Sequence, residues 1–217
     1  MKRYCMVFIV CLMSLSLLAV DEAKTAPPDN QPHGTVQTET GKPTETYGST
    51  YNTWSGAPRN KGNLFSVTTS SYLTEMELYL GIPTADTIHF SIYRKVNDGV
   101  TYGTFDQVFN VDVTGNPNKA GWVSSGTMNY TLETGYYYYI CASWDTASID
   151  YYRDDFNTPT ATGFGTLETG VYVSVGTPAN PSTLDLTDAN IPGNYGAYYQ
   201  RLTFTEVPVE LMDFSAE

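Results

Sequence analysis

Apolar and polar residues alternate along much of this chain in short runs that turn-forming residues separate. In residues 87–93, for example, Ile88, Phe90 and Ile92 alternate with Thr, His, Ser and Tyr. A period of two is typical of a β-strand with one face in a core. Runs of strand length occur at residues 63–67, 73–80, 87–93, 107–113, 121–123, 128–132, 136–144, 148–152, 162–164, 170–175 and 198–205.

These runs predict an all-β fold. They follow one another at intervals of about ten residues, with Gly, Asn, Asp and Pro between them, which is the spacing of sandwiches and barrels. No segment combines helical periodicity with a capping residue and sufficient length. We therefore expect a single antiparallel β-sandwich of jelly-roll type over residues 47–206.

The N-terminus has the pattern of a secretory signal peptide. Lys2 and Arg3 precede an apolar run over residues 6–20, which is too short to cross a bilayer comfortably. The predicted signal covers residues 1–19, with cleavage after its last residue. An uncleaved anchor and a lipoprotein modified at Cys11 are the alternatives. We expect a mature protein that is secreted or held at the cell surface, without a membrane span.

Two further segments flank the predicted domain. Residues 20–46 are rich in Pro, Thr, Gln, Glu and Asp and hold almost nothing apolar. Such a segment cannot bury enough surface to offset its ordering entropy, so it is predicted to be a disordered tail. Residues 207–217 are predicted to be an edge strand or a linker to a further module.

The charge of the chain limits its partners. Lys and Arg number 11 against 23 Asp and Glu, which gives a formal net charge of −12. Loss of the signal would remove two cations and leave the protein more acidic still. So acidic a chain repels phosphate backbones and anionic membranes, which argues against nucleic-acid binding. It is compatible with calcium or a cationic partner, and equally with the ordinary solubility of a secreted protein.

Cysteine content bears on how the domain is stabilised. Of the 3 cysteines, Cys5 and Cys11 lie in the predicted signal and only Cys141 would remain. The mature chain therefore has no intramolecular disulfide, and its stability must come from its core. Cys141 lies in an apolar run and is expected to be a small buried residue.

Two stretches of the chain carry longer motifs. The matching positions in residues 73–144 are Tyr93, Gly121, Trp122, Leu132, Gly135, Tyr137 and Tyr138. This stretch resembles jelly-roll-like domains of unknown function in bacterial surface proteins. Residues 207–216, VPVELMDFSA, are similar to a Leu-Pro-Val-Glu-Leu-x-x-Phe-x-Ala segment that joins such domains to a C-terminal sorting or immunoglobulin-like module. The resemblance implies an exported surface protein and brings no catalytic residue with it.

Catalytic motifs are not evident. Of the 2 histidines, His33 lies in the predicted tail and His89 on the polar face of the strand at 87–93, where an exposed side chain is expected. There is no Gly-x-Ser-x-Gly elbow, no phosphate-binding glycine loop and no Cys/His cluster for zinc in the sequence. We therefore expect no enzymatic activity and no cofactor, with calcium as the one ion to consider.

Carboxylates concentrate around residues 144–155. Hard cations take several oxygen ligands, and a loop can supply them from side chains and carbonyls. A calcium site is one interpretation, and a solvated loop is the other. The Asp residues at positions 185 and 188 are a weaker candidate. The residues predicted for calcium are Asp145, Asp150, Asp154 and Asp155.

Aromatic residues are the most distinctive feature of the composition, with 18 Tyr, 9 Phe and 3 Trp. Flat exposed rings with polar neighbours are a common basis for sugar recognition. Tyrosine is also a favoured strand residue without any ligand, and Trp122 and Trp144 are expected in the core. The candidate glycan-binding residues are Trp54, Tyr151, Tyr152 and Tyr195. Tyr198 and Tyr199, which follow Tyr195 closely in the sequence, are further candidates.

Two functions remain open at this point. The first is an exported, non-catalytic surface protein with a structural or adhesive role, including self-association through an exposed sheet edge. The second is a carbohydrate-binding module that uses exposed aromatic residues, with or without calcium. A row of open aromatic rings flanked by Asn, Gln and Asp would favour the second, and a bare sheet edge on a polar surface would favour the first.

Overall fold

The described residues of the chain form β-strands, in keeping with the alternating pattern of the sequence. The computed structural model describes residues 43–56, 59–145, 148–155, 158–174, 179–186 and 196–205, all within one compact unit, Glu39–Glu217. Among these residues there is no helix, so the all-β prediction is confirmed. The strands are β1 (Thr44–Tyr47), β2 (Asn52–Gly56), β3 (Arg59–Val67), β4 (Ser71–Gly81), β5 (Asp86–Val96), β6 (Thr104–Gly115), β7 (Gly121–Ser124), β8 (Tyr130–Leu132), β9 (Tyr136–Trp144), β10 (Ile149–Arg153), β11 (Thr160–Ala161), β12 (Gly165–Ser174), β13 (Thr183–Asp185) and β14 (Gln200–Thr205).

The strands form two antiparallel sheets, as expected of a β-sandwich. The first sheet has the order β1-β14-β4-β10-β2, and β7 and β8 also pair with β4. The second has the order β11-β12-β3-β9-β5-β6-β13 and curls into a half-barrel. Most neighbours within a sheet are far apart in the chain, so the architecture depends on long-range pairing.

The main core lies between the two sheets. On β4, Met76, Leu78 and Leu80 point inward, and on β5, Ile88 and Phe90 do the same, each with at most 1% of its surface exposed. These are the apolar positions of the alternating runs. Burying one such side chain stabilises the fold by about 1.5–3 kcal/mol, which is how a domain without a disulfide is held together.

A second core covers the opposite face of the second sheet. Tyr93 of β5, Tyr139 and Cys141 of β9 point away from the first sheet and pack with Leu184 and Leu186 from the segment around β13. Cys141 is buried, as the sequence predicts. The middle strands of this sheet are therefore buried on both faces, which the alternating pattern of β5 does not reveal.

Two predicted boundaries differ from the structure. The domain is expected to begin at Tyr47, but β1 already starts at Thr44, inside the segment predicted to be a tail. Its residues pair with β14, with Thr44 opposite Thr203. The strand predicted at residues 162–164 is instead the turn between β11 and β12, where the Thr162 hydroxyl accepts hydrogen bonds from the backbone of the next residues.

Other predictions fall outside the described residues. These are the signal peptide at 1–19, the larger part of the tail at 20–46, Tyr195 and the C-terminal segment at 207–217. Within the described part of the chain, no helix has the length and apolar character that a membrane span requires.

Candidate functional site

The pairing of β2 with β10 brings three of the predicted sugar-binding residues together. Trp54 lies opposite Tyr151, and Thr53 lies opposite Tyr152. Because side chains alternate along a strand, Trp54 and Tyr151 share one face of this two-stranded ribbon and Tyr152 lies on the other. We call these paired strands the β2–β10 ribbon.

The three aromatic residues of the ribbon differ in how open they are. Trp54 is 51% exposed, whereas Tyr151 is only 6% exposed and packs against Trp144 and Tyr198. Tyr151 has no open face for a ligand ring. Trp54 has one because β2 is the last strand of its sheet in the described part of the chain. Tyr51, just before β2, is 69% exposed.

Tyr152 belongs to a separate group on the outer surface of the first sheet. We call this group the outer aromatic cluster: Tyr79, Trp122, Tyr152 and Tyr199, all partly exposed. The ring of Tyr79 lies 5.1 Å from that of Tyr152 and 5.2 Å from that of Trp122, both nearly perpendicular. Such edge-to-face packing stabilises the cluster itself and leaves fewer open ring faces.

Trp122 lies on the outer surface of the first sheet, so the prediction that it is a core residue is wrong. It lies directly opposite Tyr79 in the pairing of β7 with β4. Since Leu78 and Leu80 point inward, Tyr79 points outward, and Trp122 follows it. Trp144 is fully buried, as predicted.

Arg201 covers one face of the Trp122 indole. Its guanidinium carbon lies 3.9 Å from the ring centroid. The same guanidinium donates from Nη2 to Oε1 of Glu77 at 3.0 Å, and its Nε lies 3.0 Å from Oε2. Burial raises the pKa of Glu77 despite this pairing with Arg201. The outer aromatic cluster is thus closed on one side by an ion pair.

Polar side chains line the ribbon at both ends. Ser55 donates a hydrogen bond to Asp150, and Asn52 donates one to Asp155. Amides, hydroxyls and carboxylates of this kind are the groups that bind sugar hydroxyls, since each can donate or accept a hydrogen bond. Asn52 lies two residues before Trp54 and shares its face of β2, whereas Ser55 and Asp150 lie opposite each other on the face of Tyr152.

The four carboxylates predicted for calcium do not meet at one point. Asp145 accepts a hydrogen bond from the Ala179 amide at 2.7 Å, and Asp154 accepts one from the Ala197 amide at 2.7 Å. Asp150 and Asp155 bond to β2, as described above. In the described part of the chain, no group of three or more His, Cys, Asp and Glu side chains could hold a metal ion. The four carboxylates instead bond to three separate segments, β2, Ala179 and Ala197.

His89 is buried, which corrects the prediction that it is exposed. Only 6% of its surface is accessible. Its Nδ1 lies 2.8 Å from Oδ1 of Asp112, and its Nε2 lies 3.3 Å from Oδ2 of Asp145. The prediction failed because Asp112 on β6 and Asp145 directly after β9 lie over a face that local alternation marks as solvent-facing. Both ring nitrogens are engaged by these structural contacts.

The sequence analysis missed a group of cations on the inner face of the ribbon. We call Arg59, Lys61 and Arg153 the cation cluster. Lys61 is fully buried, and its Nζ lies 4.2 Å from the ring centroid of Tyr151 and 4.0 Å from that of Tyr172. Among the described residues its Nζ has no hydrogen-bond partner. Burial, with the nearby charges of Arg59 and Arg153, lowers the pKa of Lys61 to about 6.

A sequence signal for Lys61 does exist. The strand predicted at residues 63–67 begins four residues too late, since β3 starts at Arg59. Extending the alternation back from Phe65 through Asn63 puts Lys61 on the inward face. Asn63 also accepts a hydrogen bond from the Tyr198 amide at 2.9 Å, which places Tyr198 beside the cluster.

The remaining members of the cation cluster reach the ribbon. The guanidinium carbon of Arg153 lies 5.4 Å from the centroid of the Trp54 ring, and that of Arg59 lies 5.5 Å from the Tyr172 ring. Arg59 is partly exposed, whereas Arg153 is largely buried. The half-exposed indole of Trp54 therefore lies beside the guanidinium of Arg153.

Comparison with known proteins does not assign this chain to a family. No protein-family model matches it, and no curated protein matches it significantly.

Proposed function

We propose that this protein is an exported, non-catalytic β-sandwich that binds carbohydrate at the Trp54 face of the β2–β10 ribbon. The observation that carries the proposal is the half-exposed indole of Trp54 at a sheet edge, with Asn52 on the same face of β2 and hydrogen-bonded to Asp155. The apolar face of a sugar ring stacks on such an indole, while amide and carboxylate groups bind its hydroxyls.

The contrast with the outer aromatic cluster supports the choice of Trp54. In that cluster Tyr79 meets Trp122 and Tyr152 edge to face, and Arg201 occupies one side of Trp122. Trp54 has Arg153 near its ring but remains the more open surface. Export rests on the predicted signal peptide and is part of the same proposal.

A glycan array, run with and without calcium, tests the proposal. We expect the wild-type protein to bind a defined set of oligosaccharides, and Trp54→Ala to weaken that binding by about tenfold or more, because a buried interface tryptophan commonly contributes over 1.4 kcal/mol. Tyr102→Ala is the matched control, since Tyr102 is an exposed aromatic residue between β5 and β6. Absence of glycan binding, or equal binding by Trp54→Ala, would contradict the proposal.

Self-association through β2 is a second candidate, favoured by a separate observation. Among the described residues, β2 pairs with β10 alone, so its other edge is open to another strand. Sedimentation velocity over a range of protein concentrations tests this: a dimer that grows with concentration and is lost in Thr53→Pro would support it. A monomer at every concentration would rule it out.

A further inference from the structure

We propose that the sugar bound at Trp54 carries an anionic group, a carboxylate or a sulfate, which Arg59 binds with Arg153 and Lys61 behind it. The inference rests on the proposed function and names the class of its ligand, an acidic oligosaccharide. Three observations carry it: the charge at the site, the position of Arg59, and the buried ammonium group of Lys61.

Three basic residues lie together at the site. The protein has a net charge of −12, with only 11 Lys and Arg, yet Arg153 lies 5.4 Å from the Trp54 ring, and Arg59 and Lys61 both lie against the ring of Tyr172. In the part of the chain that the structure describes, no ion pair joins Arg59 or Lys61 to a carboxylate, and Arg153 faces Asp155 at 3.6 Å. The charges of Arg59 and Arg153 repel each other and help to lower the pKa of Lys61, and a bound anion would relieve that repulsion.

Arg59 is the member of the cluster that a ligand can reach. It is partly exposed, and a Cβ built at Gly56 would lie 3.9 Å from its Cδ and its Nε. Gly56 follows Trp54 by two residues on β2, which is about 7 Å along the strand. That distance is similar to the width of one sugar ring with its substituent. A sugar stacked on Trp54 can therefore direct an acidic substituent toward Arg59.

The guanidinium groups of Arg59 and Arg153 favour a carboxylate or a sulfate as the bound anion. Their planar N–H donors form paired hydrogen bonds with a carboxylate or a sulfate, which ammonium groups do not match. A neutral sugar would supply no anion to the guanidinium of Arg59. We therefore infer an acidic sugar rather than a neutral one as the preferred ligand.

The experiment compares acidic sugars with chemically neutralised forms of the same sugars. Titration calorimetry with oligogalacturonate and its methyl ester tests the carboxylate, and keratan sulfate oligosaccharides, which contain no uronic acid, test the sulfate when compared with their desulfated, neutral forms. We expect one acidic form to bind about tenfold or more tightly than its matched neutral form. Added NaCl should weaken that difference. Equal affinity for both members of each pair would overturn the inference while leaving the proposed function in place.

Arg59→Gln adds a test at the residue itself. We expect it to remove the preference for the acidic form and to leave the affinity for the neutral form nearly unchanged. Arg94→Gln is the matched control, because Arg94 also stacks on a tyrosine, Tyr136 at 4.4 Å, but is paired with Glu133 on another part of the surface. An Arg59→Gln protein that keeps the preference would overturn the inference. Failure of both sugar forms to bind would contradict the proposed function as well.

Lys61 gives the site a pH dependence. The groups facing it are Arg59 on its own strand, Tyr151 and Arg153 on β10, Tyr172 on β12, and Tyr198. Burial raises the pKa of both Tyr151 and Tyr198, so these rings stay uncharged below pH 9. The pKa of Lys61 is about 6, so the cluster gains a charge as the pH falls from 8 to 5. Affinity for the acidic sugar should rise over that interval in the wild type but not in Lys61→Met, and an equal rise in both would contradict a role for Lys61.

Discussion

At the scale of the residue, Lys61 is the least expected feature of the molecule. Its side chain has no exposed surface, and tyrosine rings replace the carboxylate that usually accompanies a buried lysine. Burial, Arg59 and Arg153 together lower its pKa to about 6. A stem packed on aromatic rings contributes apolar burial, while the desolvated ammonium group opposes folding.

The pKa of Lys61 has a consequence for stability that can be measured. In the unfolded chain this lysine keeps its proton up to about pH 10.4. Between pH 6 and that value the unfolded state therefore binds one more proton than the native state, and this lysine makes stability rise with pH, by up to about 1.4 kcal/mol per unit. Below pH 6 both states are protonated, so the contribution is constant.

Lys61→Met should remove that dependence, because methionine keeps most of the apolar stem and has no charge. We expect the variant to be more stable than the wild type, with the largest difference below pH 6 and a smaller one at each higher pH. Urea unfolding at several pH values between 5 and 9 measures this. A difference that stays constant with pH would contradict the assignment of a lowered pKa.

At the scale of the element, the close approach of β3 and β9 positions the cation cluster. A Cβ built at Gly62, the residue after Lys61, would lie 2.1 Å from the Ile140 carbonyl oxygen and 2.5 Å from Cα of Cys141. Those atoms belong to the backbone of β9 and cannot move aside as a side chain could. Glycine at this position therefore allows two strands to approach directly next to the buried lysine.

Gly62→Ala is expected to destabilise the fold by about 2 kcal/mol or more, since overpacked sites force the backbone to shift. The midpoint of urea unfolding reports the loss. Gly99→Ala is a control for the change of residue itself: Gly99 has a φ of 82° and nothing within 4 Å of the added carbon, so its cost is conformational only. A Gly62→Ala protein no less stable than Gly99→Ala would contradict the packing argument.

At the scale of the whole molecule, the two sheets differ in role: the second sheet contains the buried centre of the fold, and the first carries the candidate binding surface. The second sheet is buried on both faces along β5 and β9, by the main core and by the second core. The first sheet ends in β2, where the half-exposed Trp54 lies beside positive charge. The remaining surface of this acidic protein repels acidic ligands, which would confine their binding to the cation cluster.

Local patterns in the sequence were sufficient for the strands and the main core. Alternation located β4 and β5 and identified Met76, Leu78 and Ile88 as buried. The aromatic content of the sequence pointed to Trp54 and residues 151–152 as candidate ligand contacts, although the pairing that unites them lies between strands almost a hundred residues apart. The periodicity within one strand does not determine which distant strand it pairs with, so the pairing of β2 with β10 could not be predicted from it.

The errors in the sequence analysis arose from the same long-range contacts. His89 occupies a position that alternation assigns to solvent, but it is buried, with Asp112 and Asp145 against its two ring nitrogens. Trp122 is apolar but lies outside because Tyr79 fixes its register. Of the four aspartates considered for calcium, two bond to β2 and the others to the amides of Ala179 and Ala197, which are contacts that no local pattern shows.

The most direct test of the account is to follow the indole N–H signals of the three tryptophans by NMR while an oligosaccharide selected on the array is added. Trp54 is half exposed, Trp122 is partly covered by Arg201, and Trp144 is buried. Binding on the Trp54 face predicts that the Trp54 signal shifts most and saturates with the ligand, while that of Trp122 stays in place. A saturating shift at Trp122 with Trp54 unchanged would contradict the site, and no shift at any tryptophan would contradict carbohydrate binding by this protein.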